Sequence, residues 1–311
     1  MNLYHSHLLI NVGENPDRPD WSIGRKWLRN LYRVHQRLCM AFPSKPVPAD
    51  RVSRAALYCE AVSGPVSPLQ QDLPGPPDAH GPDEDGNGSV HQPRSEQANF
   101  LFRIDYFVDA RRGSRRPVII VQSAGGAAPD WDLAFGLNPD QRDAQGRPIG
   151  NAGYLLAGPP QRCQVTMELD GLTLVLDRPE YRGPKPQTHR IRPGDLVRFR
   201  LRANPTEKRD DKRKRIDPRP GFMAESHSTW IRGKLGEASC SPVCLENLVP
   251  GWAYGWRSKH EPQPDQRMQF WSVLFEGTFR VGDTTELREL LLRGIGPAKA
   301  FGFGLLSLAP A

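Results

Sequence analysis

Apolar residues recur along this chain at two spacings, and the places where the spacing changes divide it into elements. Residues 3–12, LYHSHLLINV, alternate loosely and carry aliphatic side chains, which predicts a first strand. Trp27, Leu28, Leu31, Val34, Leu38 and Phe42 then follow at three- and four-residue steps. That spacing predicts an amphipathic helix over 22–41, stopped by Pro43 and Pro46. Residues 100–107 (FLFRIDYF) and 117–123 (PVIIVQS) read as two strands joined by a basic turn. Residues 163–177 carry Asp170-Gly171 at their centre, a hairpin signal. Strict alternation over 195–205 predicts a strand, and a charge run over 207–219 predicts a loop or hairpin. A short helix follows over 224–238, around Trp230, Ile231 and Leu235, then a strand over 270–281 with a bulge or bend near Gly277. The last predicted elements are a helix over 284–294 and a strand over 305–310. Thr284 or Thr285 is expected to cap that helix, and Gly294 to end it.

Two stretches break the pattern. Residues 61–97 are rich in Pro, Gly, Asp, Ser and Gln and nearly lack large apolar residues, so they cannot bury enough surface to offset the entropy of ordering. A flexible insert without assigned function is expected there, within the segment 46–96. Residues 125–160 are expected to be mostly loop, with one short helix near 131–135. The predicted order fits an α+β chain of two tandem ferredoxin-like (RRM-like) domains with long loop insertions, spanning 1–190 and 191–311.

Composition narrows the function class. The net charge is +7 and the isoelectric point about 9.3, a balance that favours polyanionic partners. No run approaches the roughly 18 apolar residues of a membrane span, and the N-terminus is too short and polar for a signal peptide. A cytoplasmic location without membrane attachment is expected. The five cysteines are odd in number and scattered, which argues against a disulfide framework. Cys240 and Cys244 lack a second Cys/His pair at zinc-ligand spacing, so no metal site and no cofactor are expected.

Three groups of residues carry candidate chemistry. Tyr32 and His35 stand three apart on the predicted first helix, hence on one face. A phenol and an imidazole there can serve packing, or can supply the acid and base that RNA cleavage needs, since RNA brings its own 2′-hydroxyl nucleophile. Arg198, Arg200 and Arg202 alternate along one strand and so share a face. Lys208, Arg209, Lys212, Arg213, Lys214 and Arg215 follow, a density of cations suited to a phosphate backbone or to a solvated loop. The run GIGPAKAFGFG places Gly294, Gly296, Gly302 and Gly304 around Lys299, between a helix and a strand. It is either a tight structural turn or a set of backbone N–H groups for phosphates. It lacks the P-loop order, and it follows a helix where a dinucleotide fingerprint would follow a strand.

Taken together, these segments resemble the CasE subfamily of the RAMP-superfamily CRISPR repeat nucleases. GIGPAKAFGFGLLSLAP is similar to the family's glycine-rich signature, and VRFRLRANP (197–205) to the opening of its second ferredoxin-like half. NLYRVHQRLCMAFP (30–43) resembles its active-site helix, and WIRGKLG (230–236) and FEGTFRV (275–281) fit the same pattern. The resemblance covers roughly 1–45, 97–123 and 195–311. It implies recognition of a CRISPR repeat RNA stem-loop and a cut at the 3′ base of the stem. The products would carry a 2′,3′-cyclic phosphate (or a 2′/3′ phosphate) and a 5′-hydroxyl. It further implies retention of the crRNA within a type I-E Cascade complex, beside the backbone subunit nearest the crRNA 3′ end. Carried over by position, His35 matches the catalytic histidine and Tyr32 its partner, with the order of base and acid open. Gly294, Gly296, Lys299, Gly302 and Gly304 match a structural and RNA-contacting loop. The segment 208–215 takes the role of a cationic hairpin facing the stem, and a catalytic lysine from this basic region is compatible with the family's chemistry.

Overall fold

The computed structural model describes residues 2–12, 23–42, 99–109, 114–124, 129–136, 152–158, 160–168, 171–176, 187–209, 212–216, 223–257 and 266–311. The insert 61–97 lies outside these residues, as do Pro43 and Pro46.

The first half builds a six-stranded antiparallel sheet. Its strands are β1 (Asn2–Leu9), β2 (Asn99–Asp109), β3 (Ser114–Ala124), β4 (Gln161–Glu168), β5 (Gly171–Leu176) and β6 (Gln187–Ile191), in the order β2-β3-β1-β4-β5-β6. Helices α1 (Ile23–Leu28) and α2 (Leu31–Cys39) join β1 to β2, and the short α3 (Trp131–Phe135) lies between β3 and β4. The first four strands thus follow the β-α-β-β-α-β path of a ferredoxin-like fold, with β5 and β6 extending one edge. The second half repeats the path. β7 (Leu196–Ala203) leads through a basic hairpin, β8 (Thr206–Arg209) and β9 (Lys212–Arg215), into α4 (Met223–Gly236). β10 (Val243–Arg257), β11 (Gln266–Arg280), α5 (Thr284–Arg293) and β12 (Leu306–Pro310) complete a sheet of order β10-β11-β7-β12.

Three expectations change. The single helix over 22–41 is two helices, broken at Arg29 and Asn30, because the Asn30 side chain caps α2 by accepting from the Tyr32 N–H at 3.2 Å. The cap of α5 is Asp283, not Thr284 or Thr285. Its carboxylate accepts from the N–H groups of Thr285 and Glu286, and a carboxylate meets the positive end of the helix dipole better than a hydroxyl does. The long strand β10 was not anticipated from the sequence. The bulge expected near Gly277 lies across from it, where the β10–β11 register shifts between Leu245 and Asn247.

Each half has its own core. Leu8, Val34, Leu38, Phe100, Phe102, Trp131 and Phe135 fill the space under α1 and α2. Phe199, Leu201, Ile231, Phe275, Phe279 and Leu287 fill the second. The halves exchange residues: Phe303, from the C-terminal segment, belongs to the first core, and Leu3, from β1, to the second.

Between the halves lies a buried ionic seam. Arg103 on β2 is 1% exposed and Asp105 2%. The Arg103 Nε and Nη2 donate to both Asp105 carboxylate oxygens at 2.8–3.0 Å. Its Nη1 donates to the carbonyls of Arg200 at 2.8 Å and Leu305 at 3.0 Å. A side chain of the first half therefore satisfies carbonyls on two segments of the second, a fully paired arrangement of the kind buried charge requires.

Candidate nucleic-acid interface

Tyr32 and His35 sit on α2, both half-buried. The helix is held from two sides. Asn30, 1% exposed, caps it and also exchanges two hydrogen bonds with the β10 backbone: its Nδ2 donates to the Trp256 carbonyl at 3.0 Å, and its Oδ1 accepts from the Trp256 N–H at 3.1 Å. At Gly255 the strand comes so near that a Cβ there would lie 3.4 Å from the Tyr32 nitrogen. The His35 ring stacks on Phe100, with centroids 5.7 Å apart, and its Nε2 lies 3.5 Å from the Cys39 sulfur.

The glycine-rich run folds as a loop held against both halves. Lys299–Phe301 forms one 3-10 turn that packs against α2 and β2. Backbone bonds from Ile295 N–H to Gly304 O and from Gly304 N–H to the Arg202 carbonyl tie the loop to β7. Three of the glycines are sterically obligatory, Gly294 among them: its φ is +68°, and a Cβ there would meet the Gly304 carbonyl at 2.8 Å. Gly302 has φ +80°, and a Cβ there would press on the Phe102 ring at 3.0 Å. Gly304 has φ +89°, and its Cβ would meet the Ile295 carbonyl at 2.8 Å. Gly296 also has positive φ, and with Lys299 it lines a concavity of about 810 Å³ between this loop and the foot of the β8–β9 hairpin.

The three strand arginines part company. Arg198 is exposed. Arg200 pairs with Asp105 at 3.5 Å and Glu276 at 3.1 Å, joining the seam. Arg202 donates to the Ser272 hydroxyl at 2.9 Å, and burial draws its guanidinium below the usual arginine range. In the β8–β9 hairpin, the register sets Lys208 opposite Arg213 and Arg209 opposite Lys212. Cation faces cation in a two-stranded ribbon, which is destabilising unless a polyanion neutralises it. The guanidinium of Arg215 lies 4.8 Å from the centre of the Trp252 ring.

Cys240 and Cys244 do not act together. Cys240 is buried and hydrogen-bonded to the Ala238 carbonyl, its thiol pushed up to about 12 by burial, whereas Cys244 is exposed on β10.

Asn30, Arg25 and Arg29, together with Tyr106 and the strand residues Trp252, Tyr254 and Trp256, are additions to the sequence reading. An Asn between two helical stretches is a cap signal, and the alternation W-A-Y-G-W is a strand signal. Neither reveals which element it will meet.

This geometry has counterparts. The chain is 32% identical over 139 residues to the CRISPR-associated endoribonuclease Cse3 of Thermus thermophilus, an alignment covering 41% of this chain and 62% of that protein. It is 34% identical over 120 residues to the CRISPR system Cascade subunit CasE of Escherichia coli, covering 36% and 57%. The chain thus spans about 60% of the length of these relatives. The solved structure of a CRISPR endoribonuclease Cse3 bound to a 19-nucleotide RNA superposes over the full length of both chains, with TM-score 0.53 and 22% identity, and shares the tandem ferredoxin-like fold. The model of the family described as CRISPR associated protein matches residues 87–310, and the chain belongs to that family.

Proposed function

We propose that this protein is a metal-independent endoribonuclease that binds the stem-loop of CRISPR repeat RNA and cuts at the 3′ base of the stem. The observation that carries the reading is the meeting of three separated segments at one seam: α2, with Tyr32 and His35, lies against the glycine-rich turn and against β10. The hairpin of opposed cations lies on the same half as that turn and β10, and suits an A-form stem, whose recognition rests on shape and phosphates. The names of the relatives, an endoribonuclease and a Cascade subunit, support the same reading.

In this mechanism one of Tyr32 and His35 takes the proton of the 2′-hydroxyl. The freed oxygen attacks the adjacent phosphorus, and the bond to the 5′-oxygen breaks. The other residue protonates that leaving oxygen. The products are a 2′,3′-cyclic phosphate and a 5′-hydroxyl. The RNA supplies the nucleophile and the two side chains carry the protons, so the chemistry is complete without a metal ion; each proton transfer contributes roughly 10²–10⁴-fold. The matured crRNA stays bound, and the protein remains with it as a Cascade subunit beside the backbone subunit nearest the crRNA 3′ end. Domains spanning 1–190 and 191–311 are part of this proposal, the first bringing the catalytic helix and the second the basic hairpin and glycine-rich loop.

A second reading is a non-catalytic crRNA-stem-binding subunit of the same complex, favoured by the packing of the His35 ring on Phe100 and Cys39. The two separate in one experiment. Protein and a His35→Ala variant are incubated with the cognate repeat stem-loop in EDTA and the product ends mapped. A single cut at the stem's 3′ base with a cyclic phosphate, lost in the variant while binding persists, supports the nuclease. Tight binding without a cut in either protein supports the holding subunit.

A further inference from the structure

A cleft of about 610 Å³ lies between the α1–α2 pair and β10. It draws Arg25 from α1, Arg29 from the break between the helices, Tyr106 from β2, Arg202 from β7, Tyr254 from β10 and Phe301 from the glycine-rich turn. Among the described residues that line it none is acidic. Three guanidiniums reach this one concavity, a gathering of positive charge that suits an anion. Tyr106 and Tyr254, one from each half, are both 49% exposed, and at that exposure their rings are accessible to a ligand. Arg202 reaches the same concavity from β7, with its Nη1 held by the Ser272 hydroxyl at 2.9 Å. Leu31 and Phe301 complete an apolar wall, and Leu31 adjoins Tyr32 in sequence.

Aromatic faces and arginines in a cleft of this volume match an unpaired nucleotide, not a duplex. Every base has a face to stack on tyrosine, and every nucleotide brings a phosphate for arginine. Basic residues of the hairpin can follow the stem, but a hairpin has no enclosed wall for a single base. We infer that this cleft binds one or two unpaired ribonucleotides of the RNA strand that continues past the foot of the stem, the bases against Tyr106 and Tyr254 and the phosphates among Arg25, Arg29 and Arg202. The inference rests on the repeat-RNA reading above and gives the cleft the task of drawing the strand past Tyr32 and His35.

The test uses the full chain and three RNAs: the cognate repeat stem-loop ending flush, and the same stem-loop with a two-nucleotide unpaired extension at its 3′ or its 5′ end. Each extension carries 2-aminopurine, and a 2′-deoxy nucleotide at the scissile position prevents cutting. One extension is expected to tighten binding about tenfold over the flush RNA and to quench 2-aminopurine fluorescence, as stacking on an aromatic ring does. For Tyr106→Ala and Tyr254→Ala the readout is the ratio of affinities for extended and flush RNA within each variant, so a variant that folds poorly is recognised by its flush-RNA binding. The ratio is expected to fall several-fold in both and to be retained in Tyr254→Phe. Tight binding of the flush RNA with no gain from either extension overturns the cleft assignment, leaves the nuclease reading intact, and turns attention to a protein segment as the occupant. Failure of all three RNAs to bind overturns the repeat-RNA reading, and this inference with it.

Discussion

The Asn30 carboxamide donates to the Trp256 carbonyl and accepts from the Trp256 N–H, joining backbone positions 226 residues apart through one side chain. The same Oδ1 accepts from the Tyr32 N–H. A single residue thus starts the helix that carries Tyr32 and His35 and fixes that helix to an edge strand of the other half.

Replacing Asn30 with Ala removes the cap and takes the side-chain partner from the partly buried N–H and C=O of Trp256. The expected loss of stability is on the order of 2–3 kcal/mol, read from the urea midpoint. Asn30→Asp keeps the cap but cannot donate to the carbonyl, so it should recover only part of the loss. Cleavage should fall further than stem-loop binding in both variants, because α2 and not the hairpin is displaced.

The Arg103–Asp105 pair is buried, and its arginine serves the carbonyls of Arg200 on β7 and of Leu305 just before β12. Asp105→Asn leaves the guanidinium uncompensated, and a loss of about 3–5 kcal/mol is expected. A loss under about 1 kcal/mol in equilibrium unfolding would show that water reaches the seam.

Opposed cations in the β8–β9 ribbon predict a steep salt dependence of RNA affinity. Lys208→Ser and Arg213→Ser should each lower the slope of log affinity against log salt by about one. A slope unchanged in both variants would remove the hairpin from the RNA-binding surface.

His5 gives a signature in pH. It is half-buried on β1, beside His7, Gln122 and Arg103. Burial first, then the charge of His7, lowers its pKa from the ordinary 6.5 to about 4, against a smaller upward pull from a hydrogen bond with Gln122. Above about pH 6.5 the imidazole is neutral in both folded and unfolded chains and has no effect on stability. Between about 6.5 and 4 the unfolded chain takes up the proton and the folded one resists it. Stability should therefore decline over that window, by on the order of 2–3 kcal/mol. His5→Gln should flatten the decline in a series of unfolding curves.

Much of α2 was legible because one face of a helix repeats every three or four residues, and Val34 and Leu38 had nowhere to go but a core. The break at Asn30 was not, because the apolar spacing runs straight through it and the interruption comes from a partner in the distant strand. β10 escaped for a related reason. Pro250, Gly251 and Gly255 interrupt its apolar pattern, yet an edge strand tolerates a proline, and Gly255 is where α2 comes close. The three arginines of β7 were correctly set on one face by their alternation. Their separate fates depend on Asp105 and Ser272, which no local pattern connects to them. The glycine-rich run announced a tight loop, and its fit against Phe102 emerges only once both halves are in place.

The exchange of Phe303 and Leu3 between the two cores also bears on how the protein is made. β1, α1 and α2 leave the ribosome well before Phe303, so the pocket that Phe303 fills stays open until much of the second half has been synthesised. The first half must wait, with apolar surface uncovered, for a segment of the second half to arrive. Truncations that remove Phe303 should therefore damage the half that was translated first, and a nascent chain stalled before Phe303 should be a better chaperone substrate than one that includes it.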